Sequence, residues 1–356
     1  MMTTLSVATG VVRSRLIWSV VAMLLLMSEP GKTTQNTAST LPGRLEAYLT
    51  KTVKVTPDQR QRLLKGEPLV TLLPGDDTKE VGVLGAIWIN ASIRSYVAGV
   101  KDIENFEKGG GFKVTKRVST PPRLEDFALL SLPDDDLYDL RSCQVGACEL
   151  KLGEEALRRF RALNWNAPDA KASANTVMQR LAVEYVTNYL TGGNARLAVY
   201  RDASRPTFVA DEFRGMIDGM PELTTYMPDV RSYLLNYPKA TLPGATSFVY
   251  WQETEFGLKP TIRISHLTIR EGVDETVVVS KMLYATHYFL TGVELRVLLP
   301  DPPRGPGFWF MTISRSRSDG LSGFRGRVLR GRVRSNVLEQ SLAGLQRTKQ
   351  LLEFAP

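Results

Sequence analysis

Between Glu80 and Asn90 the apolar positions Val81, Val83, Ile87 and Ile89 fall on one parity, the two-residue period of a half-buried strand. Ile93, Tyr96, Val97, Val100 and Ile103 then recur at helical spacing, and Gly109-Gly110-Gly111 stops the helix they predict. Upstream, Thr56-Pro57 reads as the cap and first position of a short helix ending at Gly66. Residues 121–240 lose the strand period. Pro121-Pro122 and Asp134-Asp135-Asp136 frame a loop-rich stretch, followed by helices at Glu154–Leu163, Ala170–Leu190, Glu212–Asp218 and Leu223–Leu235 and a short strand at Arg196–Tyr200. From Ser247 strand character takes over. Phe248–Phe256, Thr261–Arg270, Thr276–Leu290, Val293–Leu299 and Phe308–Ser314 are rich in β-branched and aromatic residues, bounded by Gly257, Gly272, Gly292 and the Pro300–Gly307 loop. Turns this short leave little room for parallel crossovers, so the five strands predict an antiparallel meander.

The last element carries the longest pattern. Leu321, Phe324, Val328, Gly331, Ser335, Leu338, Leu342, Leu345, Lys349 and Leu352 alternate three and four residues apart. One stripe thus runs the length of a helix of about 50 Å at 1.5 Å per residue. Gly331 and Ser335 sit mid-stripe, where a coiled-coil seam wants bulk, so a helix laid across the meander explains the pattern better. Gly320, Gly323, Gly326 and Gly331 weaken its front half by about 1 kcal/mol each, which predicts a loop or a broken helix there.

The predicted class is α+β: an antiparallel meander with a long C-terminal helix packed on it, and an inserted helical region. The organisation divides into a leader (1–40), a helix, strand and amphipathic helix (41–120), a mainly helical insertion (121–245), and the meander with its helix (246–356). This order of elements resembles that of helix-grip (START-like) domains over residues 80–115 and 246–352. That resemblance implies an apolar ligand held between curved sheet and last helix, with Gly331 and Ser335 facing it. Separately, YVAGVKDIENF (96–106), DLRSCQVGACELKL (139–152), SKMLYATHYF (280–289) and ISRSRSDGL (313–321) resemble an uncharacterised family of exported bacterial proteins.

Arg13 and Arg15 precede the apolar run Leu16–Met27, and Glu29, Pro30 and Gly31 end it. A positive flank, a short apolar core and a polar exit read as a secretory signal, leading to a periplasmic or secreted protein, or one tethered by an uncleaved leader. The run is shorter than the roughly 20 residues of a membrane-spanning helix. In an oxidising compartment Cys143 and Cys148 can close a disulfide around Gly146, which is free to take a positive φ.

The chain has 45 basic and 37 acidic residues, a formal charge of +8. Eight arginines between Arg304 and Arg334 face one acid, Asp319, so this segment alone carries +7. Outside it and the leader the body is near neutral. Such a patch attracts phosphate, anionic lipid or an acidic polymer. Arg315 and Arg317 share a strand face and can hold an anion bidentately, while Arg325, Arg327, Arg330, Arg332 and Arg334 offer an anionic-surface contact. Nucleic acid fits less well, because no recognition motif accompanies the arginines.

Two cysteines and two histidines exclude a disulfide-rich scaffold, a cysteine-only zinc site and a three-histidine centre. Neither metal nor cofactor is predicted, and none of the common nucleotide, nucleophile or metalloprotease motifs occurs. His287, in an aromatic strand, and His266, in the strand before, are the candidate general bases. Glu253 and Glu255 share a strand face as candidate paired carboxylates, and Tyr250, Trp251, Tyr284 and Trp309 are candidate pocket aromatics. The leading expectation is an exported, non-enzymatic protein that binds an apolar or amphiphilic anionic ligand or the membrane surface. Its ligand residues are Tyr284, His287, Trp309, Arg315, Arg317, Gly331 and Ser335. The alternatives are a periplasmic hydrolase using His287 or His266, and an interaction module docking through its last helix.

Overall fold

The computed structural model describes residues 40–109, 111–255, 259–321 and 323–354. The predicted leader lies outside them, as do the side chains of Phe324, Arg325, Arg327 and Val328. The chain enters through α1 (Gly43–Ala47) and α2 (Pro57–Leu64). Thr56 and Gln59 cap α2 reciprocally, each side chain accepting the other's backbone N–H, with Pro57 at the first position. Next come β1 (Leu69–Leu73), β2 (Glu80–Ile89), α3 (Ile93–Lys101), α4 (Ile103–Phe106) and β3 (Phe112–Arg117). The inserted region comprises α5 (Asp134–Leu140), α6 (Glu154–Arg161), α7 (Ala170–Gly192), the short pair β4 (Val199–Tyr200) and β5 (Thr207–Phe208), α8 (Val209–Asp218) and α9 (Pro228–Asn236). The meander β6 (Ala245–Thr254), β7 (Thr261–Glu271), β8 (Thr276–Ala285), β9 (Phe289–Pro300) and β10 (Phe308–Ser318) leads to α10 (Gly323–Glu353).

Eight strands form one antiparallel sheet in the order β1-β2-β10-β9-β8-β7-β6-β3. The meander forms as expected, with one boundary moved. The predicted strand Thr276–Leu290 is broken after Ala285, and the chain reverses at 286–288, where Tyr288 takes a φ of +59°. Gly292, expected at a turn, lies inside β9 opposite Met282. The true turn carries neither Gly nor Pro, so its composition hides it.

Alternation gives the sheet two buried faces. Val83, Ile87, Tyr250, Ser280, Phe310 and Thr312 point to one, the cleft face, together with Tyr96 and Phe106 from α3 and α4. Val279, Leu295, Val297, Trp309, Met311 and Ile313 point to the far face and pack against Leu45 of α1, Leu63 of α2, Phe213 and Met216 of α8 and Val230 of α9. Further along that face Trp251, Ile264 and Leu283 meet Leu140, Phe160, Met178 and Val186 of α5, α6 and α7. Each large apolar side chain buried there contributes about 1.5–3 kcal/mol, so the inserted helices are what allow this face to be as apolar as the other. A disulfide joins Cys143 and Cys148 around Gly146, whose φ is +87°.

The helix α10 is continuous from Gly323, not broken in its front half. It lies against β2 and β1 rather than across the meander. Leu345, 1% exposed, sits over Gly85, where an added Cβ would stand 3.0 Å from its Cδ1. Leu338 and Leu342 are only half-buried, and Gly331 and Ser335 are exposed.

Candidate functional site

Because α10 covers β1 and β2 while α3 and α4 cover one end of the remaining strands, part of the cleft face is left uncovered. A cavity of about 360 Å³ lies there, within the usual small-molecule range of about 300–1,000 Å³. Val83, Phe106, Phe112, Met282, Phe289 and Phe310 supply apolar walls, and Val337, Ser341, Gly344, Leu345, Thr348 and Leu351 of α10 form one side. The helix turns a mixed face to this space: Val337, Leu345 and Leu351 are apolar, and Gln340, Ser341, Gly344 and Thr348 are small or polar.

Charged groups stand among these walls. The Arg296 guanidinium donates from Nε to Glu294 Oε1 (2.8 Å), and from Nη2 to Glu294 Oε2 (3.2 Å) and Glu107 Oε1 (3.2 Å). Burial disfavours the charge on Arg296, yet Glu294, Tyr96 and Glu107 hold its pKa well above the usual value. Burial also works against the Glu294 carboxylate, but Arg296, with help from Arg263, keeps it below the ordinary range. Tyr96 is buried beside this pair, its hydroxyl without a hydrogen-bond partner among the described residues; burial raises its pKa and the nearby Arg296 offsets part of that rise. Tyr250 Oη shares a hydrogen bond with Ser280 Oγ (2.9 Å). Among the described residues Arg263 donates to Gln252 Oε1, at 3.3 Å, and its Nε meets no partner.

Most of the side chains singled out from sequence lie elsewhere; Tyr250 borders the cleft, and Arg315 borders it with its side chain turned away. Arg315 and Arg317 project to the far face, inside a network of carboxylates. Arg315 Nη1 meets Glu80 Oε1 (2.9 Å), and its Nη2 stands 3.8 Å from Glu222, while Arg317 binds Glu80 (3.2 Å) and Glu212 (3.1 Å). They are neutralised structural cations, not an open anion clamp. Trp309 is on the same face, donating Nε1–H to Asp301 (3.0 Å) under the Arg304 guanidinium. Tyr284 packs edge-on to Tyr185 and Tyr200 of the insertion. His287 Nε2 meets both oxygens of Asp136 at 3.0 Å, and Nδ1 faces the Glu149 carbonyl at 3.3 Å, so neither nitrogen is left for a substrate. His266 Nδ1 bonds the Tyr189 hydroxyl (3.0 Å), and burial, then the charge of Lys281, lowers its pKa to about 3.

None of these aligns with Gly331 or Ser335, which face solvent because α10 lies nearer the sheet edge than expected. Arg334 pairs with Asp77 (2.5 Å), Arg330 donates to the Asp77 carbonyl (3.2 Å), Arg332 is exposed, and the side chains of Arg325 and Arg327 lie outside the described residues. Glu253 and Glu255 both reach Lys113, at 3.0 and 3.8 Å, instead of forming a carboxylate pair. Of the candidate aromatics, Tyr250 borders the cleft and Trp251 does not.

Arg263, Arg296 and Glu294 were missed, although a signal existed. Arg263 shares its parity with Ser265 in TIRISHLTIR, and Glu294 with Arg296 in GVELRVLL, so one face of each strand carries polar groups that an apolar core does not require. Among the described residues no cluster of His, Cys, Asp and Glu is arranged to hold a metal, and no helix is long and apolar enough to cross a membrane. Comparison with protein-family models, curated proteins and solved structures finds no match for this chain.

Proposed function

We propose that this protein binds a small amphiphilic molecule in the cleft between its sheet and α10, and that it acts by holding that molecule. The observation that carries the reading is the cavity itself. It is bounded by Phe106, Phe112, Met282, Phe289 and Phe310, with hydroxyl, amide and guanidinium groups at separate points of its wall. Apolar walls with a few placed polar groups suit a ligand that is mostly hydrocarbon and oriented by one polar end. A hydrolase built on His287 or His266 has no comparable support, since neither side chain borders this cavity.

Ser341 faces the space from α10 and is half-buried, so Ser341→Trp fills the cleft at little cost to the fold. Calorimetric titration of the wild type with dodecanoate should show saturable one-to-one binding. In the variant that affinity should fall about tenfold or more, a change of at least about 1.4 kcal/mol. Equal binding by both proteins would refute the cleft as the site.

We propose as well that the protein works outside the cytoplasm. The Arg13/Arg15-flanked apolar run and the Cys143–Cys148 bridge support this, because such bridges persist in oxidising compartments. A reporter fused after residue 45 should be exported; retention in the cytoplasm would refute this.

A further inference from the structure

Strand geometry puts Arg263 on the cleft face of β7, four strands from β2, so about 19 Å of sheet separates it from the strand beneath α10. Its guanidinium is the least satisfied of the cleft's charges. The Nη2 contact to Gln252 is a long one to a neutral amide, Nε is buried without a partner among the described residues, and the Phe112 ring is 6.0 Å away. Glu294 is close enough for its charge to be felt, but both its oxygens already accept from Arg296. Arg315, one strand over from Glu294 on the opposite face, shows how this fold satisfies a cation it uses structurally: with Glu80 at 2.9 Å. No described carboxylate does this for Arg263.

The charges of the wall give the same direction. Arg315 borders the cleft but gives its side chain to Glu80 on the far face; the other three, Arg263, Arg296 and Arg347, stand against Glu107 and Glu294, one positive charge in excess. Arg347 is held at the rim by the carbonyls of Phe106 and Lys108, and Arg296 is paired with two carboxylates, Glu294 and Glu107. Within the cleft the open hydrogen-bonding capacity is at Arg263, and the excess charge of the wall matches one negative charge.

We infer that Arg263 anchors the carboxylate of a singly charged amphiphile whose hydrocarbon tail runs across the sheet toward α10. This rests on the cleft-binding reading above. A guanidinium fork suits two carboxylate oxygens held in one plane. A phosphate monoester, at about −1.5 to −2, overfills a site with one charge to offer.

The test compares dodecanoate, dodecanol and dodecyl phosphate on the full chain, in wild type, Arg263→Gln and Arg263→Lys. Wild type should bind dodecanoate at least about tenfold tighter than dodecanol. Arg263→Gln should lose that preference and keep its dodecanol affinity, which also reports an intact cleft. Arg263→Lys keeps the charge without the fork, so its preference should shrink but persist; it carries the test if the glutamine variant does not fold. Equal binding of dodecanoate and dodecanol by the wild type overturns the inference, as does an undiminished preference in either variant. Tighter binding of dodecyl phosphate than of dodecanoate overturns the singly charged head. If the wild type binds none of the three, the cleft reading falls and takes the anchor with it. Binding of dodecanol and dodecanoate alike leaves the cleft standing and removes only the anchor.

Discussion

Lys281 is buried on the far face among Tyr189, Phe213, Asn194 and His266, with its ammonium 4.4 Å from the Phe213 ring centre and 5.0 Å from that of Tyr189. Its Nζ donates to Asn194 Oδ1, and burial lowers its pKa from 10.5 to about 7. Between those values the unfolded chain holds a proton that the folded chain has released. Stability therefore rises with pH across that window, by about 1.4 kcal/mol per unit for one such group. Urea unfolding at pH 7 to 9.5 should show this slope in the wild type and lose it in Lys281→Met; parallel slopes would count against it. His266 works in the same sense lower down: folded near 3 against 6.5 unfolded, it removes stability as pH falls through that interval. Glu80 poses a different case, because it accepts from both Arg315 and Arg317 in a buried setting. Glu80→Gln leaves two guanidiniums short of a charge, and breaking a buried pair in this way costs about 3–5 kcal/mol. Unfolding of that variant in denaturant measures it. The arginine pair was visible in the sequence, but its partners come from β2, α8 and the segment after Pro221, and nothing local announces them.

Strands were legible because a sheet with two buried faces keeps β-branched and aromatic residues in every strand, whatever the polarity of one parity. The turn after Ala285 was not, because Tyr288 adopts a left-handed conformation that composition assigns to Gly or Asn. For α10 the leucine stripe identified a helix but not the strand it meets. The stripe predicts Leu338, Leu342 and Leu345 as equal core positions, whereas only Leu345 is fully enclosed. Leu345→Ala should cost about 2–5 kcal/mol by denaturant unfolding. Leu342→Ala, at a half-buried position, should cost clearly less, and a reversed order would mean the helix is seated differently. The cleft follows from the same placement: a helix centred over the meander would fill the space that a helix over β1 and β2 leaves open.

The whole molecule departs from its charge map in an instructive way. A segment that reads as +7 sends two arginines through the sheet to carboxylates on the far face, and ties two more to the Asp77 loop. Composition located the charge correctly but could not say which side of a strand would receive it. The strand order has a further consequence, for time and not for binding. β1 and β2 are close in sequence, but their ladder covers only Gly82–Ala86 of β2, so Ile89 has no strand partner until Phe308 of β10 arrives, and β3 waits likewise for β6. Contacts this distant in sequence slow folding, because loop closure must precede the gain from pairing. A nascent chain ending before Phe308 lacks the strand that joins its two halves, and so stays open to proteases and to any machinery that handles unfolded polypeptide.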